Sequence, residues 1–278
     1  MEKAVAKSIA IAELLRPLDC VMAGFAAMLG YWLSAGAIAF VPQALLAAVA
    51  TFLICGAGQA INDYYDLAAD LKAKKHRPIP SGRLTAFEAR SVAVSLFILG
   101  IVVAYYVNTG AFGVAIAFSA LLFVYSSKLS SLKYFGNSVV ALSTAFTFVM
   151  GASVTGNYSL VAILAAASFF STWAREIAKD LEDFESDKGR KHTLPMLIGK
   201  KSAANAAIIS TAVSSVVGML PVLFGIATSV LFIALLTASI AVFLLAVMQL
   251  RRAFYKSSQK SYRYGMLVAL AAFASLLF

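Results

Sequence analysis

The sequence predicts an all-α integral membrane protein, and three observations support this prediction. Hydrophobic residues make up 61% of the 278 positions and charged residues only 13%, about half the share of a typical soluble domain. Apolar stretches as long as a membrane-spanning helix follow one another from residue 18 onward. The basic residues are confined to alternate connections between these stretches. We therefore expect residues 1–278 to form a single polytopic membrane domain.

Nine of the apolar stretches are predicted to be transmembrane helices. A helix needs about 20 apolar residues to cross the hydrocarbon core of a bilayer. The predicted spans are residues 18–40, 42–61, 87–107, 111–127, 135–154, 158–176, 203–222, 226–249 and 262–278.

The charges in the connections predict the orientation of the chain. The connections near 36–42, 107–111, 154–158 and 221–226 contain no Lys, Arg, Asp or Glu, and all 23 Lys and Arg lie on the other side of the membrane. Basic segments remain in the cytoplasm. We therefore expect a multi-pass protein of the cell membrane with a cytoplasmic N-terminus, an extracellular C-terminus and an active site that faces the cytoplasm.

The net charge of +10 is concentrated on this cytoplasmic face. Such a face attracts anionic lipid headgroups, and it also suits a highly anionic substrate. Both interpretations remain open at this point. Nucleic acid is not an expected partner, because the basic residues lie in short connections between helices.

An acidic motif occurs twice in the sequence, as "NDYYDLAAD" at 62–70 and as "DLEDFESD" at 180–187. A shift of 117 residues aligns the two copies without a gap and gives seven identities within 24 positions. The agreement of Pro and Gly residues beyond the acids predicts an internal repeat. The matching residues are Asp63, Asp66, Asp70, Lys74, Pro78, Gly82 and Ala86, which recur as Asp180, Asp183, Asp187, Lys191, Pro195, Gly199 and Ala203.

The spacing of these acids predicts a metal site. On a helix, residues i, i+3 and i+7 share one face, so each motif presents a strip of oxygen ligands. A carboxylate at the bilayer centre costs roughly 2.5–3.5 kcal/mol, so we expect the strips to lie near the interface and to bind a cation. Oxygen ligands without His or Cys suit Mg²⁺ or Ca²⁺ rather than zinc. The candidate ligands are Asn62, Asp63, Asp66, Asp70, Asp180, Asp183 and Asp187.

Two facing strips could hold Mg²⁺ ions with a diphosphate between them, because Mg²⁺ often completes its shell with substrate phosphates. Nearby basic residues would bind the same anion. These candidates are Arg77, Arg83, Lys128, Lys133, Arg175 and Lys179. The neighbouring Glu176, Glu182 and Glu185 are interpreted as solvated loop acids.

A transporter in which the acids relay charge is the alternative from another functional class. The two copies of the motif begin 117 residues apart, across four predicted helices, and therefore share one orientation. The repeat is thus not of the inverted type that is common in transporters.

Longer stretches around the two motifs, "NDYYDLAADLKAKKHRPIPSGRLT" and "REIAKDLEDFESDKGRKHTLPMLIG", resemble the NDxxDxxxD and DxxDxxxD signatures of UbiA-type intramembrane prenyltransferases. The resemblance implies the UbiA prenyltransferase fold, with nine transmembrane helices around a central cavity under cytoplasmic loop helices. It also implies Mg²⁺-dependent transfer of a prenyl group from a polyprenyl diphosphate donor to an acceptor.

The resemblance assigns roles to particular residues. It makes the two aspartate motifs the two metal-binding sets and Asp66, Asp183 and Asp187 catalytic. "ELLRPLD" resembles the Arg-Pro signature of the family's first helix and makes Arg16 a candidate for substrate binding. "YSSKLSSLKYFGN" resembles a Tyr-Ser/Thr…Leu-Lys segment and adds, as further candidates, Tyr125, Ser126 and Lys128. In that segment Ser130 and Ser131 stand where Lys or Arg is expected, which leaves Lys133 as the candidate replacement.

The motifs look most like those of an archaeal branch of the family. Its members join geranylgeranyl diphosphate to geranylgeranylglyceryl phosphate, a lipid-like phosphorylated acceptor, and so form the second ether bond of archaeal lipids. Chlorophyllide-type and aromatic quinone-precursor acceptors are the alternatives. The proton of the acceptor hydroxyl could pass to a carboxylate of the second motif or to the leaving diphosphate. No obligatory protein partner is predicted.

Overall fold

In the computed structural model, residues 2–73, 75–129, 135–187 and 192–278 are described, and all regular structure within these ranges is helical. A π-helical turn, Tyr125–Leu129, continues the sixth α-helix. The α-helices are α1 Glu2–Leu15, α2 Pro17–Ala35, α3 Pro42–Tyr65, α4 Leu67–Ala73, α5 Ala86–Tyr105, α6 Thr109–Val124, α7 Gly136–Ala152, α8 Ser159–Glu182, α9 Phe184–Asp187, α10 Leu194–Ile198, α11 Lys200–Leu223, α12 Val230–Arg251 and α13 Tyr255–Ala274.

Each predicted span overlaps one long helix. Within the ranges given above, seven helical segments are long and apolar enough to cross a membrane, namely α2, α3, α5, α6 continued by the π-helical turn to Lys128, α8, α11 and α12. Helix α7 is apolar but has only 17 residues. Helix α13 carries Lys256, Lys260 and Arg263 in its first half. Large apolar side chains on these helices, such as Phe25 and Val230, are exposed, as expected of surfaces that contact lipid.

Several helix boundaries differ from the predicted spans, and α3 and α8 end at Tyr65 and Glu182 rather than at residues 61 and 176. The first span was expected to end at residue 40, but α2 ends at Ala35 because Gly36 adopts a left-handed conformation with φ +69°. The last span was expected to begin at residue 262, but α13 begins seven residues earlier. The polar first turns of α13 are helical because they pack on α12, where Ser258 Oγ donates to the carbonyl of Ala246 at 2.8 Å.

Helix α1 precedes the first predicted span and was not anticipated. It is amphipathic: Ala10 and Leu14 are fully buried, whereas Val5 and Ile9 are more than half exposed. The buried side packs against α3. Ion pairs from Lys7 to Glu88 and from Glu13 to Arg83 connect α1 to α5 and to the loop before it.

The helix packing follows the predicted repeat. Helix α3 lies along α5 in the first half as α8 lies along α11 in the second, and α2 packs against α7 where the halves meet. A Cβ atom on Gly30 would lie 2.2 Å from the carbonyl oxygen of Phe148, and one on Gly151 would lie 1.8 Å from that of Ala27. Glycine is therefore required at both positions for α2 and α7 to approach this closely. We call this contact the glycine seam.

The backbone around the two acidic motifs has the same geometry. Helix α3 is interrupted at Asp66, with φ −81° and ψ 2°, and α8 is interrupted at Asp183, with φ −84° and ψ 2°. A short helix, α4 or α9, then continues the chain past the break. Further along, Gly82 and Gly199 both have positive φ, at +76° and +85°. Each motif therefore ends a long helix in the same way.

Candidate active site at the two aspartate motifs

The phenol of Tyr125 lies close to carboxylates of both motifs. This phenol is within electrostatic range of Asp66 in the first motif and of Asp180 and Glu176 on α8. The π-helical turn after α6 places Tyr125 there, and its hydroxyl packs on Gly136, where a Cβ would lie 2.7 Å from the oxygen. Carboxylates from both halves are thus grouped at one site.

Two acids of the first motif bind arginines of the chain. Asp63 Oδ1 accepts hydrogen bonds from Arg16 at 2.9 Å and from Arg77 at 3.0 Å. The same Arg77 nitrogen donates to Asp70 Oδ2 at 2.6 Å. Asp63 and Asp70 are only 5% and 4% exposed, so the guanidinium groups neutralise carboxylates that are largely removed from water. Arg16 also donates to Gln59 Oε1 at 2.6 Å.

The middle acid of each motif, Asp66 or Asp183, is more exposed than Asp63 and Asp70. Asp66 and Asp183 are half-buried at the two helix breaks. Asn62 Nδ2 donates to Asp66 Oδ2 at 3.2 Å. Both carboxylates lie at the ends of membrane-length helices, beside the loops that follow them.

In the second motif, a side-chain amide binds Asp180, and another acid, Glu176, precedes the motif on α8. Asn137 Nδ2 on α7 donates to Asp180 Oδ2 at 2.7 Å. Asp187 is buried. Glu176, which was expected to be a solvated loop acid, is only 8% exposed and accepts a hydrogen bond from Arg175. That expectation was wrong because Glu176 lies four residues before Asp180, on the same face of α8, whereas Glu182 and Glu185 are exposed as expected.

The structure brings some of the predicted basic residues to the motifs and not others. Arg16, Arg77 and Arg175 contact acids in or beside the motifs, and Ser126 is buried in the π-helical turn. Lys128 and Lys179 are exposed near the same helix ends. Five residues discussed in the sequence analysis lie outside the described residues, namely Lys74, Ser130, Ser131, Lys133 and Lys191.

Arg83 is directed away from the motifs. Its guanidinium binds Glu13 of α1 at 2.6 Å and the carbonyl of His76 at 2.8 Å. This arginine holds the pKa of the Glu13 carboxyl below its ordinary value. Arg83 thus connects a loop to α1 on the exposed surface, and the structure gives no support for its predicted role in substrate binding.

The oxygen ligands of the motifs fit a magnesium ion that is shared with a substrate. Within the described ranges, no three His, Cys, Asp or Glu side chains converge as a complete cage. Mg²⁺ usually takes only one or two protein carboxylates and completes its shell with water and phosphate oxygens. Asp66 and Asp183 offer such carboxylates at the two helix breaks.

The sequence matches the UbiA prenyltransferase family over residues 23–276, which is most of the chain. The chain belongs to the UbiA prenyltransferase family. The resemblance inferred from the two motifs is thereby confirmed, and so is the prediction of a prenyltransferase of the membrane. The all-helical UbiA fold is confirmed as well.

Several known proteins align with this UbiA protein over most of the length of both chains. The digeranylgeranylglyceryl phosphate synthase of Thermococcus kodakarensis is 38% identical over 219 residues, 78% of this chain and 79% of that protein. A solved structure of a digeranylgeranylglyceryl phosphate synthase in membranes has 29% identity and a TM-score of 0.88, and covers 100% of this chain and 99% of its own. A UbiA homolog from Archaeoglobus fulgidus, bound to DMAPP and Mg²⁺, shares the fold with a TM-score of 0.71, at 18% identity and with coverage of 96% and 98%.

Proposed function

We propose that this UbiA protein transfers the geranylgeranyl group of geranylgeranyl diphosphate to geranylgeranylglyceryl phosphate, with Mg²⁺, and so forms the second ether bond of archaeal membrane lipids. The observation that carries the proposal is that Tyr125 is within electrostatic range of a carboxylate from each aspartate motif, Asp66 and Asp180. The similarity to digeranylgeranylglyceryl phosphate synthases supports the choice of acceptor.

The donor diphosphate binds between the two motifs. Mg²⁺ bound there supplies a Lewis acid that stabilises the charge developing on the leaving diphosphate. Asp66 and Asp183 hold the metal, and the other acids of the motifs position them or share in binding it. The remaining negative charge of the diphosphate is bound by the basic residues near the helix ends, Arg175, Lys179 and Lys128.

The prenyl chain extends from the diphosphate into the apolar interior of the protein. The allylic carbon that reacts is attached to the diphosphate, so it lies just inside the acidic motifs. Apolar surroundings exclude water, which would otherwise capture the donor and release the free alcohol. The phosphate of the acceptor requires further cations, and Arg16, Lys128 and Lys133 are the proposed residues.

An assay of the purified protein tests the function and its alternatives. The protein is incubated with geranylgeranyl diphosphate, Mg²⁺ and one acceptor at a time, and products are read by mass spectrometry. We expect a diether product from geranylgeranylglyceryl phosphate. Efficient prenylation of 4-hydroxybenzoate or a chlorophyllide, with no diether, would reject the acceptor but retain the prenyltransferase. Movement of substrate across a sealed bilayer without any product would favour the transporter.

The proposal includes nine membrane crossings, with the motifs at the cytoplasmic side. Three of the uncharged connections lie at one end of the molecule, where Asn157 donates to the carbonyl of Ser34 at 3.2 Å and Asn108 to that of Ser153 at 2.8 Å. In a background without native cysteines, Asn157→Cys should react with an impermeant thiol reagent from outside intact cells, and Ser81→Cys should not. The reverse labelling pattern would reject this topology.

A further inference from the structure

A buried carboxylate lies on the inner side of the second motif. Glu176 is 8% exposed and precedes Asp180 and Asp183 by four and seven residues, so the three share one face of α8. At about 1.5 Å per residue, Glu176 is about 6 Å deeper along α8 than Asp180. In the proposed function, this is the level of the reactive carbon of a donor whose diphosphate is bound at the motifs.

The groups around Glu176 mark a polar strip that enters the apolar interior. Arg175 donates to its carboxylate, and the phenol of Tyr125 is within electrostatic range. One turn deeper on α8, the hydroxyl of Thr172 is buried, as is the indole nitrogen of Trp173, and neither has a hydrogen-bond partner among the described residues. Buried polar groups without partners are rare in native proteins, so these two are suited to bind a polar atom of a ligand.

The internal repeat offers a comparison for this position. The shift of 117 residues aligns Glu176 with Gln59 on α3. Gln59 accepts a hydrogen bond from Arg16, but its amide cannot take up a proton at ordinary pH. At this depth the first half therefore provides a neutral acceptor, and the second half provides a base.

From this geometry we propose that Glu176 accepts the proton of the acceptor hydroxyl, an inference that rests on the proposed function. A lone pair of the hydroxyl oxygen forms the new bond to carbon 1 of the prenyl group. The bond between carbon 1 and the diphosphate oxygen breaks, and its electron pair leaves with the diphosphate. The hydroxyl proton passes to a carboxylate oxygen of Glu176, which becomes neutral beside Arg175.

The motif carboxylates are less suited to this step. A carboxylate that binds a divalent cation is stabilised in its charged form and is a poor proton acceptor. Glu176 is outside the two motifs, and its own cation is the guanidinium of Arg175. It can hold the proton without giving up a metal.

The test separates the capture of the prenyl group from the departure of diphosphate. In Glu176→Gln, ether formation should fall by about 10²–10⁴-fold, the typical contribution of a general base. Release of diphosphate from the donor in the absence of acceptor, the KM of both substrates and the melting temperature should remain as in the wild type. The matched control is Glu182→Gln, an exposed acid on the same helix, which should retain full transfer.

Two results would overturn the proposal. Ether formation by Glu176→Gln at the wild-type rate would show that no proton passes to this group. Loss of acceptor-independent diphosphate release together with transfer would show that Glu176 acts on the donor or the metal. If the wild type forms no diether but prenylates another hydroxyl acceptor, only the proposed acceptor fails, and the variants are compared on the acceptor that is used.

A second variant decides the question if Glu176→Gln does not fold. Glu176→Ala leaves space for a small carboxylic acid, and added formate should restore at least part of the lost transfer. Formate should have no effect on the wild type or on Glu182→Gln. Transfer by Glu176→Ala at the wild-type rate without formate, or no response to formate by the folded protein, would contradict the assignment.

Discussion

The two aspartate motifs share a backbone but differ in how the chain binds their acids. In the first half, Arg16 and Arg77 bind Asp63, and Arg77 also binds Asp70. In the second half, Asp180 accepts from the amide of Asn137. The shift that aligns the two copies places Leu194 where Arg77 stands.

The two motifs therefore have the same backbone geometry, but the partners of their outer acids differ in charge. The break at the middle acid is the same in both halves, so the shared backbone positions Asp66 and Asp183 whatever binds their neighbours. Arg16 and Arg77 contribute positive charge to acids of the first motif, whereas the contact of Asn137 with Asp180 in the second motif is a hydrogen bond from a neutral amide. We therefore expect the middle acids to be equally sensitive to substitution, and the two sets of outer contacts to be unequally sensitive.

The largest effect is expected for the two middle acids. Asp66→Ala and Asp183→Ala should each lower transfer by about 10³-fold or more, because in the proposed function each removes a carboxylate that would hold the metal and the leaving group in place. Both variants should still insert and fold. Transfer is measured by product mass spectrometry at saturating Mg²⁺, and folding by size-exclusion chromatography.

The control for this pair is Glu185→Ala, an exposed acid beside the second motif that pairs with Lys200. It should leave transfer unchanged. A near-wild-type rate for either Asp66→Ala or Asp183→Ala would reject the metal assignment for that half.

The next largest effect is a loss of stability when Arg77, an arginine that binds the first motif, is replaced. Arg77→Leu copies the residue of the second half and removes the shared partner of Asp63 and Asp70. Breaking a buried ion pair costs about 3–5 kcal/mol, and we expect the lower end because Arg77 is 21% exposed and Arg16 still binds Asp63. Thermal unfolding in detergent measures the loss.

The matched control is Arg83→Leu in the same loop, where the pair with Glu13 is exposed. It should unfold close to the wild-type temperature. Equal destabilisation by both substitutions would mean that losing the arginine partner of the buried Asp63 and Asp70 costs no more than losing the partner of the exposed Glu13.

A smaller effect is expected where the halves meet. Gly151→Ala puts a methyl group against the carbonyl oxygen of Ala27 and should destabilise the protein by about 1–3 kcal/mol, as overpacking usually does. Gly113→Ala on α6 is the control, because a Cβ there meets nothing within 4 Å. A higher melting temperature for Gly151→Ala would show that the two helices can separate without loss.

The smallest effect concerns Glu13 and Arg83, which lie outside both motifs. Arg83 lowers the pKa of Glu13, so this pair stabilises the fold above the ordinary pKa of 4.5 and ceases to do so as the pH falls through the lowered value. Glu13→Gln should leave transfer unchanged and should lower the melting temperature only slightly at neutral pH. That difference should disappear in acid, and a difference that grows in acid would contradict the direction of the shift.

The sequence predicted the features that depend on local pattern. Apolar length located the long helices, and the spacing of Asp63, Asp66 and Asp70, with its second copy, is the basis of the proposed site. The features that it missed depend on which helices pack together. The burial of Glu176 follows from the position of α8 in the bundle, the pairing of Arg83 from an unpredicted α1, and the requirement for Gly30 and Gly151 from the approach of α2 to α7.

The glycine seam has a consequence for the order in which the chain assembles during synthesis. Helix α2 enters the membrane early, but the backbone surface that fits Gly30 belongs to α7, more than 100 residues later. Until α7 has been inserted, this face of α2 is covered by lipid or by the insertion machinery. The first half therefore cannot complete its packing on its own, and α2 reaches its final surroundings only after α7 has been synthesised.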